Sequence, residues 1–254
     1  MRKLGRFTWR SLWLGAELLF LGLRFAFLFG RTLGRPSVRA RAVCLHHGAR
    51  RILRTFVDEV TVTGPRPASG LLVSNHLSYL DILLLGSLGP AVFVSKNEVK
   101  HWQVFGWFAR LGGTVFVQRE RRGHVGEISA HLHALLDAGE LVILFPEGTS
   151  SGGETVLPFN SALLEPAVGQ KTPLCAACIG YSLADGVVAD DVCYWRDMTF
   201  LPHFVNLLRK QFVKARVNFA EVREPATDRK ALARQLQSEV LRLKSPAPGG
   251  ASPT

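Results

Sequence analysis

Residues 71–88 read LLVSNHLSYLDILLLGSL. The first four are apolar or small, as expected of a strand buried on both faces, and residues 77–88 form a longer apolar stretch typical of a helix. Asn75 and His76 lie at the junction between the two. A buried strand that leads directly into a helix is a building unit of α/β proteins, so this stretch predicts an α/β fold with a histidine at a strand-to-helix turn.

Strands and helices continue to alternate on both sides of this stretch. The predicted strands are 60–63, 71–74, 91–95, 114–117, 141–145, 173–180 and 215–222. The predicted helices are 77–88, 98–111, 126–138 and a final one capped by Thr227. Hydrophobic residues make up 47% of the 254, which excludes a disordered chain. We expect one α/β domain over residues 58–244, a layered sheet flanked by helices, and a flexible tail over 245–254.

The N-terminal segment differs from the rest of the chain in charge. Residues 1–54 carry 12 Lys and Arg and a single acid, Glu17, whereas the other residues carry 19 basic and 19 acidic side chains. The whole net charge of +11 therefore lies in this segment. A neutral body argues against nucleic acid as a partner, and a basic, apolar segment favours the anionic surface of a membrane.

Two helices are predicted in this segment. Residues 11–30 contain only Glu17 and Arg24 as charges, and as a helix they would span about 30 Å, one hydrocarbon thickness. Residues 38–57 form a second, basic amphipathic helix. Because both flanks of the first helix are basic, we expect residues 1–57 to form a helical hairpin that enters one leaflet from the cytosolic side of a bacterial inner membrane. The alternative is a transmembrane helix followed by a helix packed on the domain.

His76 and Asp81 are candidates for proton transfer. A carboxylate five positions after a histidine, at the start of a helix, can fold back and accept a hydrogen bond from the imidazole. Such a bond fixes the tautomer and stabilises the imidazolium, so His76 can act as a general base towards a hydroxyl. The simpler interpretation is a histidine at a helix start with an Asp in the next turn, and the spacing alone does not decide between the two.

Two further segments place polar groups directly after predicted strands. Residues 147–150 follow the apolar strand 141–145, at the carboxyl end where open α/β sheets bind ligands. Arg119 follows the strand 114–117, and arginine suits bidentate contact with phosphate. A plain turn with a solvated acid and a solvent-facing arginine are the simpler interpretations.

The three segments together resemble the glycerolipid acyltransferase family, the lysophosphatidate acyltransferase-like enzymes. The family's His-x4-Asp motif stands at His76 and Asp81, its Gly-x-x-Phe-x-x-Arg motif at residues 113–119, and its Phe-Pro-Glu-Gly-Thr motif at residues 145–149. A fourth, proline-centred block matches only through Pro173. The combination of these motifs, in this order and spacing, is specific.

The resemblance implies acyl transfer from a thioester, acyl-CoA or acyl carrier protein, to the free hydroxyl of a lysolipid. His76 would deprotonate that hydroxyl and Asp81 would orient His76, without an acyl-enzyme. The implied substrate-binding residues are Arg119, Glu147, Gly148, Thr149 and Ser150. No cofactor or metal is expected. The expected partners are membrane lipids, the lysolipid acceptor and the acyl donor.

Departures from the family pattern bear on the acceptor. In the lysophosphatidate-specific members an arginine usually follows the threonine, whereas this chain has Ser150, and Asn160 and Ser161 replace a lysine and a glycine. The run over residues 145–159 looks more like the branch that acylates lyso-ornithine lipids. We therefore expect an acceptor with one carboxylate or a zwitterionic head group, with lysophosphatidate as the alternative.

Two other functions are compatible with parts of the sequence. Residues 148–152 also fit the Gly-x-Ser-x-Gly nucleophile elbow of α/β-hydrolases, with Ser150 as the nucleophile and His203 as its base. That elbow requires a helix directly after the serine, which Gly152 and Gly153 disfavour. A non-catalytic membrane scaffold is the other alternative, and the intact motifs argue against it.

Cys175 and Cys178 form a Cys-x-x-Cys pair in a predicted strand. A strand places these two thiols on opposite faces, and the chain offers no second pair to complete four zinc ligands. We expect both to be core residues.

Overall fold

The computed structural model describes residues 2–101, 105–117, 124–168 and 172–244. Within them, the strands are β1 (Glu59–Thr63), β2 (Gly70–Ser74), β3 (Val92–Lys96), β4 (Val115–Val117), β5 (Leu141–Leu144), β6 (Leu174–Ser182) and β7 (Lys214–Glu221). The α-helices are α1 (Arg2–Arg31), α2 (Val38–Leu53), α3 (Leu80–Leu88), α4 (Phe105–Gly112), α5 (His124–Asp137), α6 (Val188–Asp191), α7 (Phe200–Arg209) and α8 (Arg229–Lys244). Two 3₁₀ helices cover Asn97–His101 and Ser161–Ala167.

The strands form one sheet in the order β1-β7-β6-β2-β5-β3-β4. Strands β6, β2, β5, β3 and β4 are parallel to one another, β7 is antiparallel to β6, and β1 is parallel to β7. The carboxyl ends of β2 and of its neighbour β5 therefore lie side by side at one edge of the sheet. The segments that follow these two strands contain most of the predicted site residues: His76 and Asp81 after β2, and residues 147–150 after β5.

The layered α/β architecture is confirmed, and each predicted strand corresponds to an observed one. Helix α3 begins at Leu80, although the apolar pattern predicts a helix over 77–88. The Asp81 carboxylate accepts hydrogen bonds from the backbone amides of Leu77 at 2.6 Å and Ser78 at 2.9 Å. These bonds hold the preceding residues in a loop, which delays the helix start.

The final helix has a different cap from the one expected. The side chain of Asp228 accepts from the amides of Lys230 at 3.0 Å and Ala231 at 2.9 Å. Asp228 therefore caps α8, and the assignment of the cap to Thr227 is wrong. The carboxylate is the stronger acceptor for amides at the positive end of a helix.

The two faces of the sheet are covered by two separate apolar clusters. One contains Leu84, Ile143 and Cys175, and the other contains Leu236 and Cys178. The two cysteines thus lie on opposite faces of β6 in the core, as predicted. Burial raises the pKa of each thiol to about 11, so both stay protonated at neutral pH.

Helices α1 and α2 form the predicted helical hairpin. Arg51 of α2 donates to the buried carboxylate of Glu17 of α1, with an Nη2–Oε1 distance of 3.0 Å. Four residues further along α1, Leu21 packs closely on Gly48 of α2. A Cβ on Gly48 would lie 2.5 Å from a Leu21 methyl. Since the residue numbers rise in one helix as they fall in the other, the two helices are antiparallel.

The hairpin shares its core with the α/β body. Leu21 and Phe25 of α1 belong to the same apolar cluster as Leu84 and Ile143 of the domain. The apolar face of α2 is likewise buried within the protein, so the expectation that this face enters the membrane is wrong, and α2 packs on the domain as in the alternative. Within the hairpin, α1 therefore carries the exposed apolar surface. The domain boundary at residues 57 and 58 stays a prediction, and residues 245–254 lie outside the described residues.

The outer face of α1 is apolar and exposed. Its members have exposed fractions of 39–67%: Trp9, Leu12, Trp13, Leu19, Phe20, Leu23 and Phe27. The stretch Gly5–Arg31 is long and apolar enough to cross a membrane by length and composition. Large exposed apolar patches mark protein or membrane contacts.

Candidate active site

The loop that carries His76, residues 75–79, leaves the sheet between two parallel neighbours. Its first residue, Asn75, is buried, and its side-chain amide makes the hydrogen bonds to β6 that a strand residue would make with its backbone. The Asn75 Nδ2 donates to the carbonyl of Ile179 at 2.9 Å, and its Oδ1 accepts from the Ile179 amide at 2.7 Å. This pair of bonds fixes the start of the His76 loop to β6.

His76 and Asp81 are joined as the sequence predicts. The His76 Nδ1 lies 2.8 Å from the Asp81 Oδ2, and the Asp81 side chain is fully buried. The same oxygen accepts from the Leu77 and Ser78 amides. The carboxylate therefore fixes both the ring and the backbone of the loop.

Tyr181 is a fourth partner of Asp81. Its hydroxyl donates to the Asp81 Oδ1 at 2.7 Å. Burial, together with the negative Asp81, raises the pKa of Tyr181 well above its usual value, so the phenol stays protonated and remains a donor.

These contacts determine the protonation pattern of the pair. Two backbone amides and one phenol donate to Asp81, so the carboxylate is ionised and acts only as an acceptor. The His76 Nδ1 must then carry the proton of that hydrogen bond. In the neutral imidazole the other nitrogen, Nε2, is left with a free lone pair, which is the form required of a general base.

The segment after β5, residues 145–152 (the β5 loop), encloses His76 from the other side. The Phe145 ring stacks on the His76 ring with centroids 4.2 Å apart and an angle of 20° between planes. The amide of Ser151 donates to the His76 carbonyl at 2.9 Å. Gly148 turns this loop with a φ of 70°, a left-handed conformation that favours glycine.

Glu147 connects the two loops. Its Oε1 accepts from the backbone amide of His76 at 3.1 Å. Its Oε2 is buried and has no hydrogen-bond partner among the described residues. Burial raises the pKa of Glu147 to about 7, and the nearby Asp81 adds to the effect, while the backbone amides of His76 and Leu157 oppose it.

A cavity of about 430 Å³ lies beside His76. Most of its lining is apolar and includes Leu45, Ile82, Leu83, Phe93, Phe105 and Phe108. Lys96 and Arg196 contribute positive charge to the lining. Phe108 also contacts Phe25 of α1, with ring centroids 6.4 Å apart, so a single helix, α4, separates this part of the cavity from α1. The arrangement suits a ligand with an apolar chain and an anionic end.

The structure brings most of the predicted site residues together. His76, Gly148, Thr149 and Ser150 all line the cavity. The Glu147 carboxylate points towards the backbone of His76, so a direct contact of Glu147 with the acceptor stays a prediction. Arg119 lies outside the described residues, and its role also stays a prediction.

Three residues of the site were missed by the sequence analysis. Tyr181 lies in β6, and nothing local marks it as a partner of Asp81. Lys96 stands at the carboxyl end of β3, on the same sheet edge as His76, and that position could have identified it. Arg196 lies in an irregular segment after α6 and could not have been placed from local pattern.

The hydrolase alternative lacks its geometry. The Ser150 hydroxyl donates to the carbonyl of Tyr194. The Nδ1 of His203 lies 3.1 Å from the Tyr79 hydroxyl in the core. Residues 151–160, all of them described, contain no helix after the serine. The strained strand-to-helix turn of a nucleophile elbow is therefore not formed.

Comparison with known proteins adds independent information. Residues 59–180 match the family model described as Acyltransferase. The chain is 37% identical over 187 residues to the lyso-ornithine lipid O-acyltransferase of Brucella abortus (strain 2308), covering 68% of this chain and 70% of the relative. Its counterpart in Pseudomonas aeruginosa is 35% identical over 75% of this chain and 74% of that protein.

One further relative and one solved structure are also similar to this chain. The 1-acyl-sn-glycerol-3-phosphate acyltransferase of Neisseria gonorrhoeae is 34% identical over 64% of this chain and 68% of its own length. The crystal structure of the 1-acyl-sn-glycerophosphate acyltransferase PlsC from Thermotoga maritima has the same fold, with a TM-score of 0.58 over 94% of this chain and 98% of that chain at 22% identity. With the family model and the more similar relatives, these findings establish that the chain belongs to the acyltransferase family and is an O-acyltransferase.

Proposed function

We propose that this acyltransferase moves an acyl chain from a thioester to the hydroxyl of a lysolipid, with His76 as the general base. The observation that carries the proposal is the buried Asp81 carboxylate, 2.8 Å from the His76 Nδ1, which leaves the Nε2 of a cavity-lining imidazole as the proton acceptor. Asp81 would orient His76 and stabilise its charged form.

The reaction is a single displacement. The Nε2 of His76 takes the proton of the acceptor hydroxyl while the hydroxyl oxygen attacks the thioester carbonyl carbon. A C–O bond forms, and the C–S bond breaks when the tetrahedral intermediate collapses. The leaving thiolate takes the proton from the imidazolium, which restores the neutral histidine. General base catalysis of this kind is worth about 10²- to 10⁴-fold in rate.

The apolar lining supports an acyl chain as one ligand of the cavity. Leu45 of α2 and Phe108 of α4 line the cavity, and Phe108 also packs on Phe25 on the buried face of α1. We infer that α1 rests on an anionic membrane surface, at the cytosolic face of a bacterial inner membrane, so that the acceptor reaches the cavity from the lipid.

The acceptor is a lyso-ornithine type lipid in this proposal. Two of the relatives described above are named as lyso-ornithine lipid O-acyltransferases. The position after Thr149 holds Ser150, which offers a hydrogen bond and no charge. A single carboxylate or a zwitterionic head group requires fewer fixed cations than a phosphate monoester.

The test is acyl transfer by the purified full chain. The protein is incubated with labelled acyl-CoA or acyl carrier protein, and with lyso-ornithine lipid or lysophosphatidate. We expect transfer to lyso-ornithine lipid, and a shift of about 1 to 3 kcal/mol towards lysophosphatidate in Ser150→Arg. Ser150→Thr, which keeps the hydroxyl, is the matched control and should not shift the preference.

A strong preference of the unmodified enzyme for lysophosphatidate, unaltered by Ser150→Arg, would overturn the head-group assignment. Failure to acylate any lysolipid with either donor would overturn the proposed function itself.

A further inference from the structure

Arg196 is a cationic side chain in the cavity that no motif accounts for. It follows Tyr194 and Trp195, and all three line the cavity together with His76. The segment that contains them, residues 193–196, is irregular and lies between α6 and α7.

This segment is held against both loops of the active site. The amide of Tyr194 donates to the carbonyl of Leu77 in the His76 loop at 2.8 Å. The hydroxyl of Ser150, in the β5 loop, donates to the carbonyl of Tyr194. Arg196 therefore lies two residues after Tyr194, whose amide is held by the His76 loop and whose carbonyl is held by the β5 loop.

Trp195 further limits where the Arg196 side chain can lie. The Trp195 ring packs against Gly152, where a Cβ would lie 2.6 Å from the ring, and its Nε1 donates to the carbonyl of Ala189 at 2.9 Å. The Arg196 guanidinium lies over this ring, with its Cζ 3.8 Å from the ring centroid. Stacking on an aromatic ring leaves the edge of a guanidinium free to donate hydrogen bonds.

The backbone of Arg196 is strained. Its φ is 54°, in the left-handed region that side chains other than glycine rarely adopt. In the described part of the chain, no carboxylate lies within ion-pair distance of the guanidinium, so the strain is not explained by a salt bridge. Strained residues that surrounding contacts hold in place are found at ligand-binding sites.

We propose that Arg196 binds the anionic head group of the acceptor. The inference rests on the proposed function and deepens it: Ser150 brings no charge to the cavity, and its hydroxyl instead fixes the segment that presents Arg196. The fork of guanidinium donors matches a carboxylate or a phosphate, the two head groups considered above. Arg196 is thus a binding residue for the anionic group of the acceptor, whichever of the two head groups it carries.

The experiment compares Arg196→Gly, Arg196→Lys and the unmodified full chain in acyl transfer. Arg196→Gly removes the cation and also relieves the left-handed backbone, so its thermal midpoint should stay equal or rise. We expect the KM for the acceptor to rise about 10-fold or more, because a hydrogen bond to a charged group is lost. The KM for the acyl donor should not change, and Arg196→Lys should recover part of the loss.

Arg223→Gly, at an exposed arginine in the loop after β7, is the matched control and should leave both KM values unaltered. An unchanged acceptor KM in Arg196→Gly, for both lyso-ornithine lipid and lysophosphatidate, would overturn the inference. A rise in the donor KM alone would also overturn it, by assigning Arg196 to the donor's phosphates. In either case the unmodified enzyme still acylates a lysolipid, which separates this failure from failure of the proposed function.

Discussion

The His76 loop and helix α1 meet their surroundings in opposite ways. The loop is bonded to several distant parts of the chain, through Glu147, Ser151, Ile179 and Tyr194. The outer face of α1 leaves side chains such as Leu12 and Leu23 more than half exposed. The first region has its partners within the protein, whereas the second offers an apolar surface to the outside.

The difference separates two requirements of an enzyme that works on lipids. Proton transfer needs fixed geometry, which the protein supplies by holding the Asp81 carboxylate with several donors. Attachment to a bilayer needs apolar area and little geometry. Substitutions in the loop should therefore alter the rate constant of acyl transfer, and substitutions on the outer face of α1 should alter vesicle binding.

The largest expected effect is that of His76→Ala. Loss of the general base should lower kcat by about 10²- to 10⁴-fold, with vesicle binding unchanged. Steady-state kinetics on the purified protein measure it, with circular dichroism as the check on folding. His131→Ala, at an exposed histidine on α5, is the matched control. A folded His76→Ala protein with near-normal kcat is the result that would contradict the mechanism.

Glu147→Gln should change how stability depends on pH. The folded pKa of Glu147 is about 7, against an ordinary value of 4.5, because the carboxyl is buried. Below pH 4.5 the carboxyl is protonated in both states. Between pH 4.5 and 7 it ionises first in the unfolded chain, so the free energy of unfolding falls by about 3 kcal/mol.

The measurement for Glu147 is the free energy of unfolding from denaturant titrations at pH 4.5, 6 and 7.5, in both proteins. The glutamine variant lacks the titrating group, so the difference in stability between the two proteins should move in its favour across that interval. A difference that stays constant with pH would show that Glu147 does not titrate there.

Leu23→Ser tests the membrane side of the comparison. Leu23 is 61% exposed on the outer face of α1, and loss of its burial in lipid should weaken binding to anionic vesicles by about 1.5 to 3 kcal/mol. Co-sedimentation with vesicles measures it, and kcat for a detergent-dispersed acceptor should not change. Leu241→Ser, at an exposed leucine on α8, serves as the control. Equal loss of binding in both variants would argue against a specific membrane face.

The smallest expected effect is that of Tyr181→Phe. The variant removes one of the four hydrogen bonds that Asp81 accepts, and the other three still hold the carboxylate. We therefore expect only part of the energy of this bond, about 0.5 to 1.5 kcal/mol, to appear in kcat as a fall of about 2- to 12-fold. The KM for the acceptor should stay constant, because Tyr181 acts through Asp81 and His76. An altered KM with unchanged kcat would place Tyr181 at the substrate instead.

The sequence predicts those features that depend on residues close together along the chain, and misses those that depend on residues brought together by folding. The spacing of His76 and Asp81 allowed their hydrogen bond without deciding it, and the resemblance of the three motifs to the acyltransferase family favoured it. The apolar runs located each strand of the sheet. The partner Tyr181 could not be found, because it reaches Asp81 only when β6 lies beside β2. The burial of α2 was also unpredictable, since an amphipathic helix has the same pattern whether it packs on protein or on lipid.

The central claim is that His76 and Asp81 act as one unit in proton transfer. A double-mutant cycle of His76→Ala and Asp81→Asn, read in kcat with unfolding measured alongside, tests it most directly. We predict that Asp81→Asn lowers kcat at least 10-fold when His76 is present and has almost no effect when His76 is already alanine. If Asp81→Asn lowers kcat by the same factor in both backgrounds, Asp81 only supports the loop through the Leu77 and Ser78 amides, and the account is contradicted.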